Sequence, residues 1–322
     1  MIFQAKLPSQ WLPPQWHGKP YYSLDAYCKN TFQHKCYKIA LNAHMSCPNR
    51  DGHLDTRGCI FCSAGGSGDF AVSTINRTIQ EQLTEGMSYF HGKKVGQHFI
   101  AYFQAYTNTY APVAYLEQIF TEALSSPDVC GISIATRPDC LPEDVLELLA
   151  DLKQKFPAKF IWVELGLQTI HEKTAVFIRR GYALSCFAKS YEKLSAIGIP
   201  VIIHVILGLP HETPEMILET IHYLNDLKPF GIKLQLLHIL ENTDLADYYR
   251  QGNFKELSKD EYLDLVIKCL EHLSPEIVIH RVTGDGPKDL LIAPKWSQNK
   301  RDVLNSLHKL MKERNTMQGA AL

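Results

Sequence analysis

Cys47, Cys59 and Cys62 fall in one stretch, from Cys47-Pro48-Asn49-Arg50 to Arg57-Gly58-Cys59-Ile60-Phe61-Cys62, directly after the apolar run Tyr37-Lys38-Ile39-Ala40-Leu41. A closed structural zinc site or a fully protein-ligated iron–sulfur cluster takes four protein ligands. Three thiolates on one loop therefore read as a metal centre with one position left for something else. Zinc stays open as an alternative, because His44, His53 or Cys36 could be recruited as the fourth ligand. A thioredoxin-type pair at Cys59 and Cys62 leaves Cys47 without a role, and the flanking elements do not suit it.

The elements that must position this loop alternate along the chain. Apolar, β-rich runs predict strands over 37–43, 98–104, 130–136, 159–166, 199–207 and 231–239, with helical patterns over 74–90, 112–125, 142–155, 185–197, 213–228 and 259–273. Arg137-Pro138-Asp139, Gly198-Ile199-Pro200 and Gly208-Leu209-Pro210 supply turn signals between them. Six strand–helix units in succession predict an α/β fold, a partial (β/α)6 TIM-type barrel with short N- and C-terminal extensions. The expected division is an extension over 1–30, a core over 31–280 and a basic extension over 281–322. The site should lie beyond the C-terminal ends of the strands, where the cysteine loop emerges.

Several strands carry polar residues that a plain core would not choose. Glu164 shares strand parity with Trp162, Gly166 and Gln168, and a buried, unpaired carboxylate costs several kcal/mol, so a partner is implied. His204 and His238, within strands, could line a cavity or be satisfied core histidines, the latter favoured for His238, whereas Gln104 ends the second strand and Lys233 and Gln235 share a face of the sixth. Their recurrence near strand C-termini favours a ligand cavity. The segment His280-Arg281-Val282-Thr283-Gly284-Asp285-Gly286-Pro287-Lys288 joins a strand end to a glycine-containing turn with positive charge, a place to hold a phosphate or to close over the barrel.

Composition bounds the function. The 322 residues are 45% hydrophobic and 21% charged, enough to bury a large core. No apolar run of about 18 residues could span a bilayer, and the first twenty residues lack a signal-peptide pattern, so the expected location is the cytoplasm with no membrane partner. Nine cysteines, an odd number, fit reduced thiols and a metal site better than a disulfide framework. Cys130, Cys140, Cys186 and Cys269 read as small buried hydrophobes, and an auxiliary cluster built on Cys28 and Cys36 would lack ligands. The net charge of −1 hides basic ends: residues 281–322 hold eight basic against four acidic side chains, and residues 1–70 seven against four. Such ends could form an anion-binding face if the fold brings them together; solvated surface charge is the alternative.

The combination resembles the radical S-adenosylmethionine (SAM) enzymes. Three cysteines follow the first strand, with an aromatic residue before the last. The commonest family spacing leaves three residues between the first two cysteines; the eleven between Cys47 and Cys59 resemble the branch related to the Elongator catalytic subunit. Further matches are Tyr102-Phe103-Gln104-Ala105-Tyr106-Thr107-Asn108-Thr109-Tyr110, Ala135-Thr136-Arg137-Pro138-Asp139-Cys140, Glu164-Leu165-Gly166-Leu167-Gln168 and His204-Val205-Ile206-Leu207-Gly208-Leu209-Pro210. Together they resemble a bacterial subgroup that includes an enzyme acting on the modified wobble uridine of tRNA.

The resemblance implies that Cys47, Cys59 and Cys62 hold a [4Fe-4S] cluster whose fourth iron chelates SAM. SAM is then cleaved to a 5′-deoxyadenosyl radical, and the barrel positions the chemistry and excludes water. By motif position Gln104 would sit by the methionine end, Glu164 and Gln168 by the ribose or amino group, and Leu207 and Gly208 by the adenine, with Phe61 beside it. Lys233, Gln235, His280, Arg281 and Lys288 are candidates for substrate contact. The implied reaction converts 5-carboxymethylaminomethyluridine in tRNA to 5-aminomethyluridine. Its partners would be tRNA, an electron donor such as flavodoxin or ferredoxin, and a downstream methyltransferase acting on the same tRNA. Alternatives are a radical SAM enzyme acting on a small metabolite or a protein, and a non-catalytic iron–sulfur or zinc protein for electron transfer or redox sensing.

Overall fold

A computed structural model describes residues 12–66, 68, 71, 77–90, 98–284 and 286–322. The start of the expected extension, the first residues of the helix predicted from 74, and the charges of Lys6, Asp69 and Asp285 lie outside the described residues.

Seven parallel strands form a curled sheet in the order β1 (Tyr37–Leu41), β2 (Phe99–Phe103), β3 (Val129–Thr136), β4 (Phe160–Gln168), β5 (Val201–Leu207), β6 (Gly231–Leu236) and β8 (Val278–Arg281). Each consecutive pair is joined in parallel register, which makes a half-barrel of the TIM type. The six predicted strand–helix units are present, each end within a few residues. The returning helices are α2 (Ile79–Ser88), α3 (Val113–Ser125), α4 (Glu143–Lys155), α6 (Leu184–Ala196), α7 (Pro214–Leu227) and α9 (Lys259–Glu271). Caps fix several starts: Thr78 with Glu81 and Ser258 with Glu261 form capping boxes.

Further elements go beyond the predicted pattern. β8 adds a seventh strand of four residues, and α1 (Leu24–Phe32), α5 (Glu172–Phe177) and α8 (Asp244–Arg250) are short. A two-stranded antiparallel ribbon, β7 (Ile239–Leu240) with β9 (Leu291–Ala293), and α10 (Lys300–Glu313) complete the chain.

Strand parity divides the interior. Ile161, Val163, Leu165 and Leu167 of β4 face the helices and join the main core, while Trp162 faces the inside of the barrel. The N-terminal end of the barrel is plugged by aromatics. Trp162 stacks on Phe160 at 3.9 Å between ring centroids, and Tyr27 of α1 meets Trp162 at 5.9 Å and Phe230 at 4.9 Å. His280 belongs to this plug, 5.5 Å from both Trp162 and Phe230, and Gly231 leaves room for its ring.

The two chain ends meet at this same end of the barrel. Ser23 bridges to Ile279 of β8, and the buried Gln318 side chain accepts from Tyr22 N (2.9 Å) and donates to Ser274 O (2.6 Å) and Ile277 O (2.9 Å). Part of each basic end meets here beneath the sheet, but Arg50 and Arg57 lie in the cysteine loop itself and Lys38 and Arg281 line the larger cavity. Lys19 and Lys29 pair with Asp25, and Lys259 pairs with Asp302 of α10.

Trp162→Ala should cost about 3–5 kcal/mol of unfolding free energy by emptying the plug. Urea denaturation checks this, and a loss below about 1 kcal/mol would mean that the plug does not hold the N-terminal end.

Candidate functional site

Glu164, on the inward face of β4, is only 1% exposed. Its carboxylate accepts from Ser133 Oγ of β3 (2.6 Å), Lys38 Nζ of β1 (2.5 Å), His204 Nε2 of β5 (2.7 Å) and Lys233 Nζ of β6. Lys233 also donates to the Tyr102 hydroxyl of β2 (3.0 Å), and the Tyr102 ring meets the Lys38 and Lys233 ammonium groups at 4.6 and 4.5 Å. Burial acts to raise the Glu164 pKa, but Lys233 and Lys38 outweigh it and hold the carboxyl well below its ordinary value. Burial, with Lys233 beside it, lowers His204 to about 4, so the ring is neutral at pH 7. It donates through Nε2 to Glu164, which leaves Nδ1 to accept from Gln235 Nε2 (3.1 Å).

Above this floor lies the cysteine loop. Asn49, 2% exposed, donates to Arg179 O (2.7 Å) and to Cys59 Sγ (3.5 Å), and Arg50 donates to Cys62 O (2.8 Å) and Ser63 O (2.6 Å). Arg137, in the bend after β3, is gripped by Asp139 at 2.9 and 2.7 Å and donates to Arg180 O (3.0 Å). Arg137 and Arg180 both lie 4.9 Å from the Tyr182 ring. The Tyr182 hydroxyl donates to Gly166 O (2.9 Å) and Gln168 Oε1 (3.1 Å), and a Cβ at Gly166 would stand 3.0 Å from that hydroxyl. Gln168 itself has φ +62 at a register shift in the β4–β5 pairing. A non-glycine residue held there is strained, a feature that clusters at ligand sites.

Two cavities, of about 790 and 180 Å³, open between loop and floor. Phe61, Cys62, Gln104, Gln168, Gln235 and Arg281 line both, so the two are one continuous space. Cys47, Cys59, Glu164 and Lys233 line the smaller part. Other expected residues sit elsewhere. Leu207 turns its side chain into the outer core, Gly208 (φ +86) lies against Leu257, and neither lines the cavities. His280 is in the aromatic plug, and Lys288 is exposed in the turn before β9. Glu164 lines the smaller cavity, but four donors already share its two oxygens, so it organises the floor and has little left for a cofactor. Lys38, Tyr102, Arg137 and Tyr182 were not singled out from the sequence. Lys38 gave a signal, being the one charge in the run Tyr37–Leu41.

Cys47, Cys59 and Cys62 all line the smaller cavity, three soft thiolate donors around one space, a donor set that fits an iron–sulfur cluster with one position left open. Burial and the neighbouring Cys62 and Cys47 push the Cys59 thiol up to about 12; a bound cation reverses that, since a coordinating thiol is deprotonated.

A half-barrel with a three-cysteine loop at the C-terminal ends of its strands defines a class, and comparison with known proteins agrees with it. Residues 56–224 match the Radical SAM superfamily, and residues 229–313 match the Radical_SAM C-terminal domain. The chain is 45% identical to YtqA of Bacillus subtilis (strain 168), over 94% of this chain and 92% of that one. It is 24% identical to human Elongator complex protein 3, over 82% of this chain but 55% of that longer protein. In fold it is similar to the Elp3 of the archaeon Methanocaldococcus infernus lacking its N-terminus, with a TM-score of 0.66 at 15% identity, over 88% of this chain and 64% of that one. The chain belongs to the radical SAM superfamily, whose members use a [4Fe-4S] cluster and SAM.

Glu164→Gln should lower the unfolding free energy by about 3–5 kcal/mol, because it leaves two ammonium groups facing a neutral amide. Adding Lys233→Met should recover at least half of that loss. Urea melts of the two variants decide it: a single variant as stable as the parent would show that the carboxylate does not hold the floor together.

Proposed function

We propose that Cys47, Cys59 and Cys62 hold a [4Fe-4S] cluster and that the protein acts on the C5 side chain of the tRNA wobble uridine, converting carboxymethylaminomethyl to aminomethyl. The observation that carries the reading is that the three loop thiols and a polar, cation-bearing floor face one continuous cavity. When bound, the cluster supplies the electron that cleaves SAM to a 5′-deoxyadenosyl radical, able to take hydrogen from an unactivated C–H. The substrate's methylene between nitrogen and carboxylate has no acidic proton, so this chemistry suits it.

The chain's own residues then do three things. Asn49 and Arg50 fix the loop backbone, so that the thiols are presented without much ordering cost. Phe61, Gln104 and Gln168 line the space next to the loop and would contact SAM, with the Gln168 side chain oriented by Tyr182. Leu207 could contribute to the adenine site only through its backbone, and Gly208 through the turn that follows. Gln235, Lys233 and Arg281 lie further in and face the substrate side. The cavity is roomy enough for a nucleoside that leaves its stack, as bases undergoing chemistry must.

Support for tRNA comes from the motif resemblance. Of the basic ends, Lys38, Arg50 and Arg281 line the cavities, while Lys19 and Lys29 pair with Asp25 at the far end of the barrel. No described helix is long and apolar enough to cross a membrane, and we assign the protein to the cytoplasm, with a flavodoxin or ferredoxin as reductant and a methyltransferase acting afterwards on the amine. Residues 1–30 and 281–322 would be extensions of a catalytic core over 31–280.

Mass spectrometry of tRNA nucleosides from cells with and without the gene tests this. Loss of the gene should abolish 5-aminomethyluridine and its methylated product and accumulate 5-carboxymethylaminomethyluridine. Unchanged wobble uridines would exclude tRNA and leave a small metabolite or protein as substrate.

A further inference from the structure

The floor of the cavity holds more positive than negative charge. Lys38, Lys233 and Arg281 reach it from β1, β6 and the end of β8, while among the described residues Glu164 is the one carboxylate at its centre. Lys38 and Lys233 share that carboxylate. Arg281 lines both parts of the cavity and has no carboxylate within 4 Å among the described residues. His204, neutral at pH 7, adds no compensating charge. The other acid facing the larger cavity, Glu85 on α2, stands at the rim and is taken up by Arg77 and by the Tyr89 hydroxyl (2.6 Å).

Cations withdrawn from water with too few counter-ions are costly. An arriving anion recovers that cost, and in a low-dielectric cavity each contact is stronger than it would be at a surface. Lys233 is 3% exposed and burial lowers its pKa from its ordinary value, with Glu164 opposing, so it has much to gain from a second anion. The guanidinium of Arg281 brings the planar fork that matches a carboxylate.

We propose that Arg281, backed by Lys38 and Lys233, is a receptor for a carboxylate on the substrate, and that Arg281 is the specificity-determining residue of the cavity. The excess charge stands on the geometry alone; that the carboxylate is the one on the carboxymethylaminomethyl group rests on the substrate reading above. Held there, the carboxylate fixes the position of the neighbouring methylene within the cavity. The aminomethyl product lacks the anion and keeps the positively charged nitrogen, so the same cations that bind the substrate repel the product. Selection for substrate and release of product then follow from one charge arrangement.

The test compares binding of N-benzylglycine and its carboxamide analogue N-benzylglycinamide, which lacks the carboxylate, to the full-length, iron-loaded protein by isothermal titration, in parent, Arg281→Gln and Arg281→Lys proteins. Iron content and far-UV circular dichroism establish that each variant is folded and loaded. The parent should bind the acid at least tenfold more tightly than the amide; Arg281→Gln should bring that ratio close to one, and Arg281→Lys should restore part of it. Equal affinity for acid and amide in the parent overturns the proposal. So does a ratio that Arg281→Gln leaves intact while SAM affinity falls, for the arginine would then serve the cofactor. The probes contain no nucleic acid, so a failure of the tRNA reading leaves this result standing by itself.

Discussion

A single buried carboxylate sets the interior of this protein. Glu164 draws donors from β1, β3, β5 and β6 onto β4, so the side chains that meet at it come from five of the seven strands. Burial of an ion is tolerated only when it is paired and hydrogen-bonded, which makes the curvature of the sheet and the position of these donors interdependent. Apolar residues at the same positions could pack together and fill the barrel. A charged floor keeps the space above it polar and open, while the aromatic plug of Trp162, Phe230 and Tyr27 closes the other end.

The cysteine loop is held to this frame from the opposite side. Ile60 N donates to Ile178 O (3.2 Å), Leu245 N donates to Ile60 O (2.9 Å), and Asn49 reaches Arg179 O, so the loop is tied to the segment after β4 and to the start of α8. Arg137 and Tyr182 continue the connection down to Gln168, at the end of the strand that carries Glu164. Cavity-lining residues of the cysteine loop and of the floor are therefore supported through β4. This explains why the motif Glu164-Leu165-Gly166-Leu167-Gln168 combines a charge, a small residue and a strained polar end in five positions.

What was readable in the sequence follows from these constraints. Strands buried on both faces give strong apolar runs, so six of the seven were found with nearly correct ends. β8 was missed as a full member because it has only four residues and leads straight into a turn, and α1 because its nine residues carry aromatics for the plug without a clean helical period. Parity placed Glu164 inside and required a partner for it, but could not say which, since Lys38 and Lys233 are 195 residues apart and meet only when the sheet curls. For the same reason His280 looked like a mouth residue: it follows a strand by sequence, yet β8 is so short and shifted that the ring lies in the plug. Leu207 shares parity with Val205 and Ile203, which already points its side chain to the outer core and leaves its backbone alone to reach the site.

The most direct test follows a hydrogen atom. Substrate tRNA carrying deuterium on the carboxymethyl methylene of the wobble uridine is incubated anaerobically with the reduced, iron-loaded protein and SAM, and the 5′-deoxyadenosine is examined by mass spectrometry. Deuterium in that product, in step with release of the aminomethyl nucleoside, is the predicted result. Formation of 5′-deoxyadenosine free of deuterium while the tRNA stays unchanged would contradict it.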